Sequence, residues 1–212
     1  MELKEVIKKR RSIRKYQSKP VLWETIAEVL EAARLAPAAG NLQSYRFIVI
    51  RNEEKKKELS KICHDQHWMA KAPAQIAVIA TVSKLARLYG ERGESNYAYQ
   101  NANAAICNLI LSANDLGLGT CWVTAFDDKK INDALSVEDG KPIAIITLGY
   151  PREKPSSPTR DPLKNLVYFE EWGNKERAST VNRPFEKPIK RGFHGLKEAL
   201  KALKSSNKEL GK

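Results

Sequence analysis

Apolar residues recur at Leu3, Val6 and Ile7, the i, i+3, i+4 spacing of a short amphipathic helix that leads into Arg10-Arg11-Ser12. The spacing returns after Pro20 at Ile26, Val29, Leu30 and Ala33, and Pro37 limits that second helix. Phe47-Ile48-Val49-Ile50 is a continuous apolar run and predicts a short buried strand, with a charged helix over 53–62 behind it. Ile76-Ala77-Val78-Ile79-Ala80, announced by Pro73, predicts a second strand. The strongest helical pattern covers 97–116, where Ala98, Ala102, Ala105, Ile106, Leu109, Ile110 and Ala113 form a wide apolar stripe that Gly117 brings to a stop. Its alanines permit another helix to approach closely, in the core or across a dimer face. A third strand over 119–124, a helix over 127–135 and a fourth strand over 143–148 complete the alternation.

Elements in this order predict an α/β or α+β three-layer sandwich. After Tyr150-Pro151 the pattern changes: Pro155, Pro158 and Pro162 each fix φ and remove a donor, which enforces an extended path that must lie on something. Beyond Trp172 the chain turns basic, with an amphipathic pattern near 194–204. The expected organisation is one domain over 1–173 and a basic C-terminal extension over 174–212.

Composition narrows the class. The three cysteines, Cys63, Cys107 and Cys121, lack CxxC spacing, which suits a reducing compartment rather than a disulfide framework or a zinc site. No run approaches the roughly 18 apolar residues of a membrane span, and the N-terminus lacks a signal-peptide core; the expected location is cytoplasmic, with no membrane partner. The formal net charge of +12 raises nucleic acid as a partner. Against it, many lysines alternate with glutamates, as in Glu53-Glu54-Lys55-Lys56-Lys57-Glu58, which describes solvated surface. A non-catalytic nucleic-acid module built on residues 10–14 and the lysine-rich tail is the alternative reading.

The chain has no GxGxxG, GxxxxGK[ST], HExxH or GxSxG, and His64 and His67 have no credible third metal ligand. What stands out is Arg10-Arg11-Ser12-Ile13-Arg14, where planar guanidinium forks and a hydroxyl suit phosphate, or else form a solvated basic turn.

That string continues as Lys15-Tyr16, and Ala33-Arg34-Leu35-Ala36-Pro37-Ala38-Ala39-Gly40-Asn41-Leu42-Gln43-Ser44-Tyr45-Arg46-Phe47 follows some twenty residues later. Then come Ala70-Lys71-Ala72-Pro73, the alanine-rich helix, Gly117-Leu118-Gly119-Thr120-Cys121-Trp122, Leu148-Gly149-Tyr150-Pro151 and Arg160-Asp161-Pro162-Leu163. In this order and spacing the chain resembles the nitroreductase family over about residues 2–173. The resemblance implies an α+β, three-layer α-β-α sandwich with a mixed, mainly antiparallel sheet, in a homodimer that exchanges C-terminal arms. It implies FMN at the dimer interface, NADH or NADPH as electron donor, and a small-molecule acceptor such as a nitroaromatic or quinone, taken in a ping-pong cycle. Relatives with specialised flavin reactions, dehalogenation or flavin fragmentation, keep a second activity open.

The resemblance also distributes roles. Arg10, Arg11 and Ser12 would contact FMN, chiefly its phosphate, and Arg14 would lie at the N1–O2 edge of the ring, stabilising the anionic reduced flavin. Ala38, Ala39, Gly40, Asn41 and Gln43 would come from the other subunit. Gln66 would be a polar flavin contact, Trp122, Val123 and Thr124 would pass beside the ring with a backbone N–H near N5, and Arg160 would be the second phosphate arm. Thr124 stands where some family members carry Glu-Gly, which leaves the subgroup open. The cofactor carries hydride transfer, so no side-chain acid–base pair is expected. Residues 83–96, with Gly90, Gly93 and mixed charges, read as a mobile connection where a substrate lid would sit.

Overall fold

The computed structural model describes residues 1–175; the pattern near 194–204 and all but the start of the basic extension lie outside the described residues. The chain divides into two units, Met1–Ser157 and Pro158–Lys212.

The first unit is built on four strands, β1 (Tyr45–Ile50), β2 (Ala74–Ala80), β3 (Gly119–Val123) and β4 (Lys141–Gly149), in the order β1-β2-β4-β3. All three ladders are antiparallel, and the parallel component is one bridge from Ser12 to Thr120 on the outer edge of β3. Helices cover both faces, which is why β2 is buried at every position and reads as an unbroken apolar run. On one face, α2 (Trp23–Arg34) and α5 (Ala98–Asp115) pack against Ile76, Val78, Ile146 and Leu148. On the other, α3 (Glu53–Ile62) and α6 (Asp128–Leu135) enclose Ala77, Ile79, Cys121 and Ile145 with Leu59 and Ile131. The result is the three-layer α+β sandwich that the sequence predicts.

Local signals explain the boundaries. Asn52 and Asp127 cap α3 and α6, accepting from the N–H groups of Lys55 (2.9 Å) and Lys130 (3.0 Å). Gly117, at φ +75°, ends α5, and the Leu118 N–H turns back to the Ala113 carbonyl at 2.8 Å. The short α1 (Leu3–Lys9) buries Val6 and is held to α5, where the Asn114 amide donates to the Val6 carbonyl at 3.0 Å. The stripe of α5 therefore serves the core.

Two segments depart from expectation. Residues 83–96 are helical: α4 (Ser83–Arg92) runs into a π turn over Gly93–Tyr97. Gly93 is not a flexible link; a Cβ there would stand 2.1 Å from the Leu85 carbonyl oxygen, so only glycine lets the two turns close. Strand β3 stops at Val123, leaving Thr124 exposed beyond it.

In the second unit, residues 158–162 carry no regular secondary structure and α7 (Leu163–Leu166) follows. There the Tyr168 ring lies tilted against Trp172, with centroids 4.8 Å apart, and the Lys175 ammonium lies 3.9 Å from the Tyr168 centroid.

Candidate functional site

Residues 10–17 form an arm along the open edge of the sheet. The Ile13 N–H donates to the Thr120 carbonyl (2.9 Å), the Gln17 N–H to Tyr150 (2.9 Å), and the Arg152 N–H to the Lys15 carbonyl (2.9 Å). Ile13 and Tyr16 are its buried anchors. Gly119 admits the first, since a Cβ there would meet Ile13 Cγ1 at 2.7 Å. The Tyr16 hydroxyl donates to the Ile13 carbonyl (2.6 Å) and lies 2.7 Å from Thr147 Oγ1, which in turn accepts from the Cys121 N–H at 3.2 Å. Each hydroxyl has one proton, so this is a directed relay: Cys121 N–H to Thr147, Thr147 to Tyr16, Tyr16 to Ile13.

At the start of the arm, Lys9, Arg10, Arg11, Thr120 and Lys154 line a cleft of about 500 Å³ that also contains Glu153. The two arginines behave differently. Arg11 turns back on α1, its Nη1 donating to the carbonyls of Lys8 (2.7 Å) and Arg10 (2.8 Å), while its Nε is buried without a partner among the described residues. It closes the C-terminus of α1 as much as it faces the cleft. The Arg10 side chain makes no main-chain hydrogen bond among the described residues and is the freer of the two to meet a ligand in the cleft.

Further along, Glu153 Oε1 accepts from the main-chain N–H groups of both Arg14 (2.6 Å) and Lys15 (3.0 Å). The Arg14 guanidinium carbon lies 5.7 Å from the centroid of the Trp68 ring. Burial raises the Cys121 thiol pKa, opposed by the nearby Arg14, Ser12 and Arg10 side chains. Trp68 belongs to a 3-10 turn, His67–Lys71, that begins just after Gln66, whose amide donates to the Cys63 carbonyl at 3.0 Å. This turn is braced from within. The Lys56 ammonium, buried at 2% exposure, donates to the Ala72 carbonyl at 2.7 Å, and Gln75 donates to Met69 at 3.0 Å.

On β3, Thr120 faces the arm, so ladder alternation turns the main-chain groups of Thr120 and Trp122 toward the open edge and those of Cys121 toward β4. The half-buried Trp122 side chain packs on the α5 face, with its Nε1 buried and unpartnered among the described residues. Val123 is buried on the opposite face.

The structure thus gathers Arg10, Arg11, Ser12, Arg14 and the Trp122 edge. It does not bring the loop over 38–43 to them. That loop is held by Asn101 near the start of α5, which accepts from the Ala39 N–H (2.8 Å) and donates to the Leu42 carbonyl (3.1 Å) and Ser44 (3.0 Å). Gly40 and Asn41 both take positive φ (59° and 53°), the Gln43 amide folds back onto Asn41, and Tyr89 of α4 lies against Gly40. The cleft is lined by Asn114, thirteen positions further along the same helix, which at 1.5 Å per residue is about 20 Å away. Arg160 is exposed in the second unit.

A sequence model of the nitroreductase family matches residues 7–150. This chain belongs to the nitroreductase family. Over 178 residues this chain is 33% identical to a protein of Methanothermobacter thermautotrophicus whose name assigns it provisionally as an NADH dehydrogenase/NAD(P)H nitroreductase, covering 81% of this chain and 88% of the relative. It is 31% identical over 197 residues to an NADH dehydrogenase of Thermus thermophilus, covering 80% of this chain and 96% of that one. Its fold matches that of an FMN-dependent nitroreductase of Clostridium difficile with a TM-score of 0.68, at 30% identity, over 79% of this chain and 98% of the other.

Sequence reasoning misses several residues that build this candidate site. Trp68 and Glu153 converge on Arg14 from positions 54 and 139 residues away, and no periodicity links them. Asn101 sits on the apolar stripe of α5, where its polarity was the one available signal: a buried amide needs partners, and it has three.

Proposed function

We propose that the protein is an FMN-dependent oxidoreductase that takes hydride from NADH or NADPH and passes it to a small acceptor such as a nitroaromatic or quinone. In this reading it works as a homodimer with exchanged C-terminal arms, and each site draws on both chains. The observation that carries it is the separation along α5: Asn101, which holds the loop over 38–43, and Asn114, which lines the cleft, stand about 20 Å apart on one chain. A second copy related by a two-fold axis, its α5 antiparallel to the first, supplies the missing half to each site.

The residues present fit the cofactor. The cleft is basic, Arg11 Nε and Trp122 Nε1 are buried donors in want of acceptors, and the β3 edge offers main-chain groups beside the arm. Bound FMN supplies the two-electron chemistry, and the chain supplies binding, orientation and electrostatics. Arg10 and Arg160 hold the phosphate through charge-assisted hydrogen bonds, with Arg11 and Ser12 behind them. Arg14 presents positive charge where reduction adds negative charge. The Trp122 main chain orients the ring, with Val123 and Thr124 continuing past it and Gln66 as a polar contact. Ala38, Ala39, Gly40, Asn41 and Gln43 cover the ring from the other subunit, and α4, packed on Gly40 through Tyr89, is the lid that excludes water. Among the described residues no helix is long and apolar enough to cross a membrane.

Two measurements test this. Chromatography of heat-released flavin must give FMN; FAD would sink the cofactor assignment. Mixing Arg10→Ala subunits with Asn41→Ala/Gln43→Ala subunits must restore flavin binding to one site per mixed dimer, because one site then receives both intact halves. No recovery would refute the shared site.

A further inference from the structure

We propose that Trp68 and Glu153 are positioning residues for Arg14: Glu153 fixes its main chain, Trp68 seats its guanidinium, and together they set where the positive charge stands. The proposal rests on the reading that Arg14 faces the flavin.

Arg14 is exposed, and an exposed arginine spreads over many rotamers, so its charge is smeared unless something holds it. Two contacts do so from opposite ends of the side chain. At the Cα end, one oxygen of Glu153 takes the N–H groups of Arg14 and Lys15, and the adjacent Arg152 N–H to Lys15 carbonyl bond keeps the two segments in register. At the far end, the guanidinium carbon is 5.7 Å from the Trp68 centroid, within cation–π range. Trp68 cannot easily drift, because it packs on Ile13, Tyr16 and Ala72, and Lys56 and Gln75 pin its turn to the core.

The chemistry of the two contacts matters. Glu153 makes no ion pair with the Arg14 guanidinium among the described residues; its carboxylate is used on main-chain donors. An indole face likewise holds a cation without neutralising it. The charge is therefore fixed in place yet uncompensated, as a group that tunes a reduction potential must be. A carboxylate bonded directly to the guanidinium would fix it equally well and cancel it.

The test is the midpoint potential of the bound flavin, with the ring-current shift of the Arg14 side-chain protons in the apoprotein as a readout free of cofactor. Arg14→Gln is the reference, and loss of the charge is expected to lower the preference for reduced over oxidised flavin about tenfold, roughly 30 mV more negative. Trp68→Leu should lose about threefold, roughly 14 mV, and add nothing in an Arg14→Gln background, while Trp68→Phe, which keeps an aromatic face and guards against misfolding, should stay near the parent. Glu153→Ala and Glu153→Gln remove the same charge, but only glutamine keeps an acceptor; the alanine variant should lie about threefold below the glutamine one. In the apoprotein the Arg14 protons should be shifted upfield, and both Trp68→Leu and Glu153→Ala should abolish the shift. If Arg14→Gln moves the potential but Trp68→Leu does not and the two Glu153 variants coincide, the positioning role is overturned while Arg14 keeps its place. An unmoved potential in Arg14→Gln overturns that placement and the proposal with it.

Discussion

Replacing Tyr16 by phenylalanine removes one oxygen from a relay that joins three parts of the fold: β3 through the Cys121 N–H, β4 through Thr147, and the arm through the Ile13 carbonyl. The ring still fits, so the cost is polar. Two hydrogen bonds go, but the Thr147 hydroxyl can turn to the Cys121 carbonyl at 3.4 Å. One net bond is therefore lost, about 1 kcal/mol, and the Ile13 carbonyl is left buried without its donor, about 1–2 kcal/mol more, for a total of about 2–3 kcal/mol. With a urea slope of about 2 kcal/mol/M, the midpoint should fall by about 1 M at fixed protein concentration. Thr147→Val cuts the same relay one link earlier but leaves the Tyr16-to-Ile13 bond intact, so it should cost about 1 kcal/mol. Because the two residues share an interaction, the double variant should cost less than the sum. A Tyr16→Phe protein within about 0.5 kcal/mol of the parent, or strict additivity of the pair, would show that the relay is not what holds the arm.

Gly149→Ala should lower the melting temperature sharply, since a Cβ there would stand 2.4 Å from Pro73 Cδ and 2.9 Å from Tyr16 Cδ1; an unchanged melting temperature would contradict that packing. Burial holds the Cys63 thiol up at about 12, so its contribution is complete below the thiol's unfolded value near 8.5 and is lost as pH rises from there. Denaturation followed from pH 8 to 11 should therefore show a decline that Cys63→Ala reduces, by about 1.4 kcal/mol per pH unit at most. Arg10→Ala and Arg160→Ala should each weaken FMN binding about ten- to a hundredfold, from charge-assisted bonds of about 1.5–3 kcal/mol, as measured by fluorescence titration of apoprotein. Deleting residues 158–212 should abolish dimerisation and flavin retention together, whereas deleting only 176–212 should spare both; light scattering and flavin content distinguish the two outcomes.

Much of the fold is legible because its helices are amphipathic on a regular period and its central strands are apolar throughout. Helix α3 appears over the residues that the charge pattern indicates, and Gly117 ends α5 as expected. What the pattern cannot express is side-chain reach. Lys56 reads as one more solvated lysine in a charged helix, yet its ammonium is buried under the 66–72 segment. Gly90 and Gly93 read as flexibility, but in α4 one supplies a φ of 59° with ψ of −148° and the other a gap into which the Leu85 carbonyl fits. Strand order is equally hidden, because β4 inserts between β2 and β3 through contacts distant in sequence. The arginine cluster is visible as a string, but only the fold separates Arg11, folded back on α1, from Arg10.

Helix α5 carries an anchor for the loop at Asn101 and a wall of the cleft at Asn114, with no break between them. It therefore acts as a ruler graduated in whole residues. Deleting one residue between these marks would shorten the gap by about 1.5 Å and swing one end by about 100° relative to the other. The Asn101 amide would then miss Ala39, Leu42 and Ser44 altogether rather than by a small margin. Length variation among descendants of this sequence should accordingly gather in connections such as 136–140 and spare α5. In a two-chain arrangement any such error is also committed twice, once in each site, so no intact site would remain to sustain a partly working molecule.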